Sequence, residues 1–253
     1  MLKTRIMPCL LVDEGRLVKT VRFKKPNYIG DPINAIKIYN EKEVDELILL
    51  DITATKESHQ PPFELIEEVA SECFMPLAYG GGIKSLDDMK KIYNIGVEKI
   101  IINSYVSENP NFIREAADVF GSQSVVVSID VKKNLFGKYT VRTHGGTKDT
   151  KADPVVYASR VQELGAGEIV VNAIDCDGMM NGYDIELMKR ITSAVTVPVI
   201  ALGGAGSVED IEAVVTDAGV SAAAAGSLFV YQGKDLGVLI NFPRREELEE
   251  RLI

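Results

Sequence analysis

Short apolar, β-branched runs alternate with amphipathic stretches along almost the whole chain. Eight runs read as strands: "RIMPCLLV", "ELILLDI", "MPLAYG", "EKIIIN", "SVVVSID", "EIVVNAI", "VPVIALG" and "VSAAAAG". They lack a polar alternate face, as strands buried on both sides do. Between them lie helix-like segments such as "DPINAIKIYNEK", "PFELIEEVASE", "SLDDMKKIYNI", "DPVVYASRVQEL" and "SVEDIEAVVTDA". Several begin at Ser, Asp or Asn with acids in the first turn, which is N-cap chemistry. Strand–helix alternation repeated eight times over 253 residues predicts an α/β fold, a single-domain (β/α)8 barrel. A doubly wound open sheet is the competing architecture.

An internal repeat favours the barrel. "PLAYGGGIKSLDDMKK" aligns with "VIALGGAGSVEDIEAV", so Gly80 and Gly81 fall opposite Gly203 and Gly204. "VEKIIINSYV" aligns with "VSAAAAGSLF", placing Asn103–Ser104 opposite Gly226–Ser227. "VDELILLDITAT" aligns with "AGEIVVNAIDCD", and "RIMPCLLV" with "SVVVSIDV", which sets Leu11 against Asp130. The spacing stays near 120 residues, so the chain reads as two fused half-barrels, roughly 1–120 and 121–253. Two segments break the repeat. "KKNLFGKYTV" suggests a β-hairpin around Phe136–Gly137, and "NFPRREELEERLI" a final helix started by Pro243.

The net charge of −9 argues against nucleic-acid binding, which needs a basic surface. Cys9, Cys73 and Cys176 show no metal-ligand spacing, and two sit in apolar runs, so buried reduced thiols are expected. No apolar run approaches the ~20 residues of a membrane span and no leader precedes the first strand, so a soluble, cytoplasmic protein is expected. No metal or cofactor is expected.

In such barrels chemistry sits at the C-terminal ends of the strands. Glycine loops after the third and seventh strands (Gly81, Gly82; Gly203, Gly204) offer backbone N–H groups to anions. Asn103 and Gly226–Ser227 flank them, so two anion sites should face each other across the mouth. The matching ligand is elongated, with phosphate at both ends or a diphosphate at one. Asp130 ends an apolar strand, where a carboxylate costs desolvation unless it is used or paired, for instance with Lys132. It is the candidate catalytic residue. Asp51, Asp175 and Asp177 end strands too, but loop hydrogen bonding explains them equally well. His59 and His144 lie in polar, loop-like surroundings, and one or both are expected to be simply exposed. At the opposite mouth Arg5, Glu46, Lys99 and Glu168 open four strands, and their alternating charges could close an ion-pair ring.

These motifs ("RIMPCL…GRLVKT", "ELILLDITAT", "GGGI", "FGSQSVVVSID", "GAGEI", "IDCDG…GYD" and "GGAG") resemble the cyclase subunit of imidazole glycerol phosphate synthase, the HisF family. The resemblance covers the whole chain. It implies a glutaminase subunit docked on the barrel floor, with ammonia passing a gate formed by Arg5, Glu46, Lys99 and Glu168. It implies phosphate sites at the glycine loops, including Asp177–Gly178, and a substrate-contacting loop lysine at Lys19. The family's cyclase uses two aspartates. Asp130 matches one, and the other position is Leu11. "FMPLAYGGGIK" and "FGSQSVVVSIDVKKNLFGKY" are similar to HisF-like proteins of surface-polysaccharide gene clusters. That branch implies conversion of a sugar N-acetyl group to acetamidino, on a nucleotide-linked sugar, together with an ATP-dependent amidotransferase. The alternatives are the cyclase of histidine biosynthesis and a non-catalytic scaffold that activates a glutaminase.

Overall fold

The computed structural model describes residues 4–233 and 235–252. Eight strands form the barrel: β1 (Arg5–Asp13), β2 (Leu47–Asp51), β3 (Leu77–Gly80), β4 (Lys99–Ile102), β5 (Val125–Lys133), β6 (Glu168–Ala173), β7 (Val199–Leu202) and β8 (Ala222–Ala225). Each pairs in parallel with the next, from β1–β2 through to β7–β8. Pairing of β1 with β8, Arg5 against Ala222, closes the ring. Closure excludes the open-sheet alternative.

Alternation along each strand divides the apolar residues into two cores. Met7, Cys9, Leu11, Ile48, Ala78, Ile101, Val126, Val170 and Ile200 fill the interior. Their neighbours, such as Ile6, Leu10, Leu49, Tyr79, Val127 and Val171, pack outward against the helices. A strand buried on both faces therefore needs the unbroken apolar runs seen in the sequence.

The helices begin where cap chemistry places them. Asp31 and Asp153 cap helices Pro32–Glu41 and Pro154–Glu163, each with proline in the first turn. Ser85 caps Leu86–Ile95, and Ser207 forms a capping box with Asp210 ahead of Val208–Ala218. The last helix is Arg245–Leu252, starting two residues after Pro243.

Two antiparallel hairpins rise above the barrel mouth. The expected one joins β5 to Tyr139–Thr143, and Asn134 closes its turn by accepting from Gly137 and donating to Lys138. The other, Arg16–Val21 with Lys24–Gly30, is absent from the sequence pattern. Its second strand is almost wholly exposed and has no apolar period. Backbone pairing holds it, together with a 2.9 Å bond from Arg22 N–H to the Asp177 carbonyl.

The three cysteines are free thiols. Cys9 alone is fully buried; Cys73 and Cys176 are only partly so, because both sit at strand or helix ends and not within a core layer. Among the described residues no helix is long and apolar enough to cross a membrane.

Candidate active site

The C-terminal ends of the strands enclose a cavity of about 530 Å³. Period-two alternation aims Asp130 inward at the end of β5, fully buried. Asn103, just past β4, donates from Nδ2 to Asp130 Oδ2 at 2.8 Å. Its hydrogen-bond partner is thus Asn103 and not Lys132. Burial pushes the carboxyl up to about 7, the Asn103 bond pulls it down, and the negative charge of Asp177 pushes it up again. A carboxyl group tuned to neutrality suits proton transfer at physiological pH.

Leu11 lines the same cavity from β1, four strands round an eight-strand ring from β5. The two positions matched by the repeat thus face each other across the mouth. One carries a carboxyl group and the other an isobutyl group.

The anion-type loops also lie opposite one another, after β3 and β4 on one side and after β7 and β8 on the other. Gly81, Gly82 and Asn103 border the main cavity. Gly178, Gly203, Gly204, Gly226 and Ser227 border a small adjoining void shared with Lys19 and Asp177. Gly81 has φ +135°, and a Cβ there would come within 2.6 Å of the Asp51 side chain. Gly204 has φ +118°, and a Cβ would collide with the Gly182 carbonyl. Both loops therefore need glycine for backbone reasons. Lys19 reaches down from the unexpected hairpin and sets its Nζ against the face of Gly226 that a Cβ would occupy. Asp177 is buried beside it and accepts from Thr20 Oγ1 at 3.2 Å. Burial raises its carboxyl, opposed by Lys19 and the Thr20 bond.

The remaining strand-end acids serve loops. Asp51 Oδ1 accepts from Thr53 N–H, Thr53 Oγ1 and Ala54 N–H, each at 2.9 Å. Asp175 accepts from Lys133 N–H at 2.8 Å. Of the histidines, His59 is exposed as expected. His144 is the other case: it is half-buried and borders the cavity, with Nε2 3.3 Å from Glu108 Oε1. A left-handed φ of 54° turns it inward, and no periodicity announces that. Ser128 and Asn172 also line the cavity and were missed. Counting by twos back from Asp130 reaches Ser128, and Asn172 stands beside Asp130 in the strand register.

At the floor the four charges close a ring. Arg5 bonds Glu46 at 2.5 Å and Glu168 at 3.0 Å, while Lys99 bonds the same two carboxylates at 3.0 and 3.2 Å. Glu46 is 4% exposed in its side chain, and its Oε1 has no hydrogen-bond partner among the described residues.

Strand-end glycine loops facing each other across a closed (β/α)8 barrel, with a buried carboxyl between them, give the mouth the layout of a barrel enzyme's active site. Residues 5–235 match the family described as "Histidine biosynthesis protein". A Pseudomonas aeruginosa protein, provisionally named imidazole glycerol phosphate synthase subunit hisF2, is 53% identical, covering 98% of this chain and 99% of that one. A Vibrio vulnificus protein, provisionally named subunit hisF3, is 50% identical over 100% and 97%. The Petrotoga mobilis imidazole glycerol phosphate synthase subunit HisF is 46% identical over 94% and 96%. The chain belongs to the HisF family, the cyclase subunits of imidazole glycerol phosphate synthase.

Proposed function

We propose that this barrel is a cytoplasmic, ammonia-using synthase subunit that converts an N-acetyl group of a nucleotide-linked sugar to acetamidino in surface-polysaccharide biosynthesis. The observation that carries this reading is Leu11 facing Asp130 across the mouth. Leucine cannot carry a proton, so the two-acid ring closure of the family lacks one partner. Amidine formation needs less. An ATP-dependent partner activates the acetamido oxygen, and ammonia adds to the acyl carbon. The C–O bond then breaks, the oxygen leaves with the activating group, and Asp130 takes the proton lost by nitrogen.

Other features support the same reading. A glutaminase docked on the floor would release ammonia below the Arg5–Glu46–Lys99–Glu168 ring, which then acts as the gate. The glycine loops, with Lys19 and Ser227, would hold the diphosphate. Among the relatives named above, the two at 50–53% carry provisional names numbered hisF2 and hisF3, while the one with the unqualified name stands at 46%. That ordering supports a branch beside the histidine enzyme.

The test is incubation with the histidine-pathway ribonucleotide intermediate and an ammonium salt. The expected result is no ring closure. Ring closure at a rate typical of enzymes, on the order of 1 s⁻¹ or above, would overturn the proposal.

A further inference from the structure

The hairpin that extends β5 ends in a tip whose apolar side chains point into water. Asn134 builds the turn: its Oδ1 accepts from Phe136 N–H at 2.9 Å and from Lys138 N–H at 3.0 Å. Its own N–H donates to the Lys138 carbonyl at 2.8 Å. These bonds need nothing apolar at the two positions between. Yet Leu135 is fully exposed there and Phe136 is 94% exposed. The tip begins five residues beyond Asp130, up to about 16 Å further along the strand direction. Two large apolar groups are thus held out in front of the mouth by a hydrogen-bonded turn.

The other hairpin presents Val21 and Tyr28, and the loop after β6 presents Met179, all exposed. Phe23, at the turn of that hairpin, links the two sides. Its ring lies 3.1 Å from where a Cβ of Gly146 would sit, in the loop that follows Tyr139–Thr143. Exposed cations, Arg22, Lys24, Lys25 and Lys138, stand among these apolar groups, although the chain as a whole carries a net charge of −9. A rim both apolar and basic fits a protein with an acidic, partly apolar face. We propose that this rim docks the ATP-dependent enzyme that activates the acetamido oxygen, with Leu135 and Phe136 as the anchor. This rests on the function proposed above and adds where that partner sits. Water reaching an O-activated amide would displace the activating group and return the acetamido group. Transfer to ammonia therefore needs the activating enzyme held against the mouth, with solvent excluded.

The test takes the intact barrel and a purified ATP-dependent amidotransferase that, with a glutaminase, completes amidine formation in vitro. Sedimentation velocity measures the affinity of barrel for amidotransferase in the wild type, Leu135→Glu and Phe136→Glu. Val119→Glu serves as control, since Val119 is exposed in the last turn of helix Phe112–Phe120, at the floor end. Either tip variant should weaken binding at least about tenfold, as loss of an anchor does. Wild-type binding should weaken as salt is raised. Val119→Glu should bind as the wild type does. At limiting amidotransferase, amidine formation should fall in step with affinity, while the barrel's stimulation of the glutaminase persists. Unchanged affinity in both folded tip variants would overturn the docking surface and leave the proposed function standing. Binding of the tip to phosphatidylglycerol vesicles in that case would reassign it to a membrane. No amidine formation by the wild-type mixture would overturn both.

Discussion

Asn103 Nδ2 and Asp130 Oδ2 meet at 2.8 Å across neighbouring strand ends, and among the described residues no other hydrogen bond reaches this buried carboxyl. The bond favours the ionised form, but burial outweighs it and leaves the group at about 7. Activity that depends on Asp130 as a base should rise with pH through about 7 and then level off. A pH–rate profile of amidine formation checks this. Asp130→Asn should abolish it, and survival of amidine formation in that variant would favour the scaffold alternative.

The same group sets a pH-dependence of stability. Its value lies above the ordinary 3.8, so the folded state holds the proton more tightly than the unfolded chain. Its contribution is most favourable below about pH 4 and declines until about pH 7, by up to about 4 kcal/mol. Asp130→Asn should therefore raise the melting temperature more at pH 8 than at pH 4. Thermal unfolding at both pH values provides the comparison.

Leu11→Asp supplies the second acid that the resemblance to the family's cyclase implies at this position. It places a carboxylate against Leu50 and Val18, its neighbours in the strand pairing, so a cost of about 1–3 kcal/mol at neutral pH is expected. The gain is detectable ring closure of the histidine-pathway intermediate with ammonium, absent from the parent protein. A folded Leu11→Asp variant that is still inactive would show that further positions separate the two reactions.

Lys99→Ala opens one side of the floor ring and leaves Arg5 alone to neutralise two carboxylates. A stability loss of about 2 kcal/mol is expected, since a charged hydrogen-bonding partner disappears from a largely buried cluster. With the glutaminase present, glutamine-dependent turnover should fall while turnover with added ammonium salt persists. Loss of both in equal measure would remove the gate from the account.

Gly226→Ala tests the seat of Lys19. The backbone at Gly226 is not in the left-handed region, so a methyl group there meets chiefly the end of the Lys19 side chain, with the Cys9 carbonyl oxygen close behind at 3.1 Å. The variant should fold normally and bind phosphorylated ligands several-fold more weakly. Lys19→Ala should weaken binding similarly, and the double variant should add little, as expected for two changes at one contact.

Much of this could be read from the chain, and the failures share a cause. The strands of the barrel stand out because a strand buried on both faces must be apolar throughout. The helix starts stand out because Ser85, Asp153 and Ser207 do cap chemistry that few other residues can do. The hairpin carrying Lys19 was invisible because its outer strand buries little and is held by main-chain bonds, which leave no side-chain signature. His144 escaped for a related reason, since a left-handed backbone angle and not a pattern aims it. Asn172 was within reach: its place beside Asp130 follows from alternation once the strand ends are known.

The floor ring bears on how the two repeats could ever have stood alone. Glu46 and Glu168 occupy matching places, one in each repeat. Arg5 and Lys99 both belong to the first, and their counterparts in the second are Ser124 and Ala222. The first repeat holds two cations and one anion, while the second contributes Glu168 with no cation of its own at the floor. Expressed as separate fragments, the halves should attract one another as unlike pieces and should not assemble as two copies of the second. A pairing rule written in charge would then bias recombination toward the ordered heterodimer.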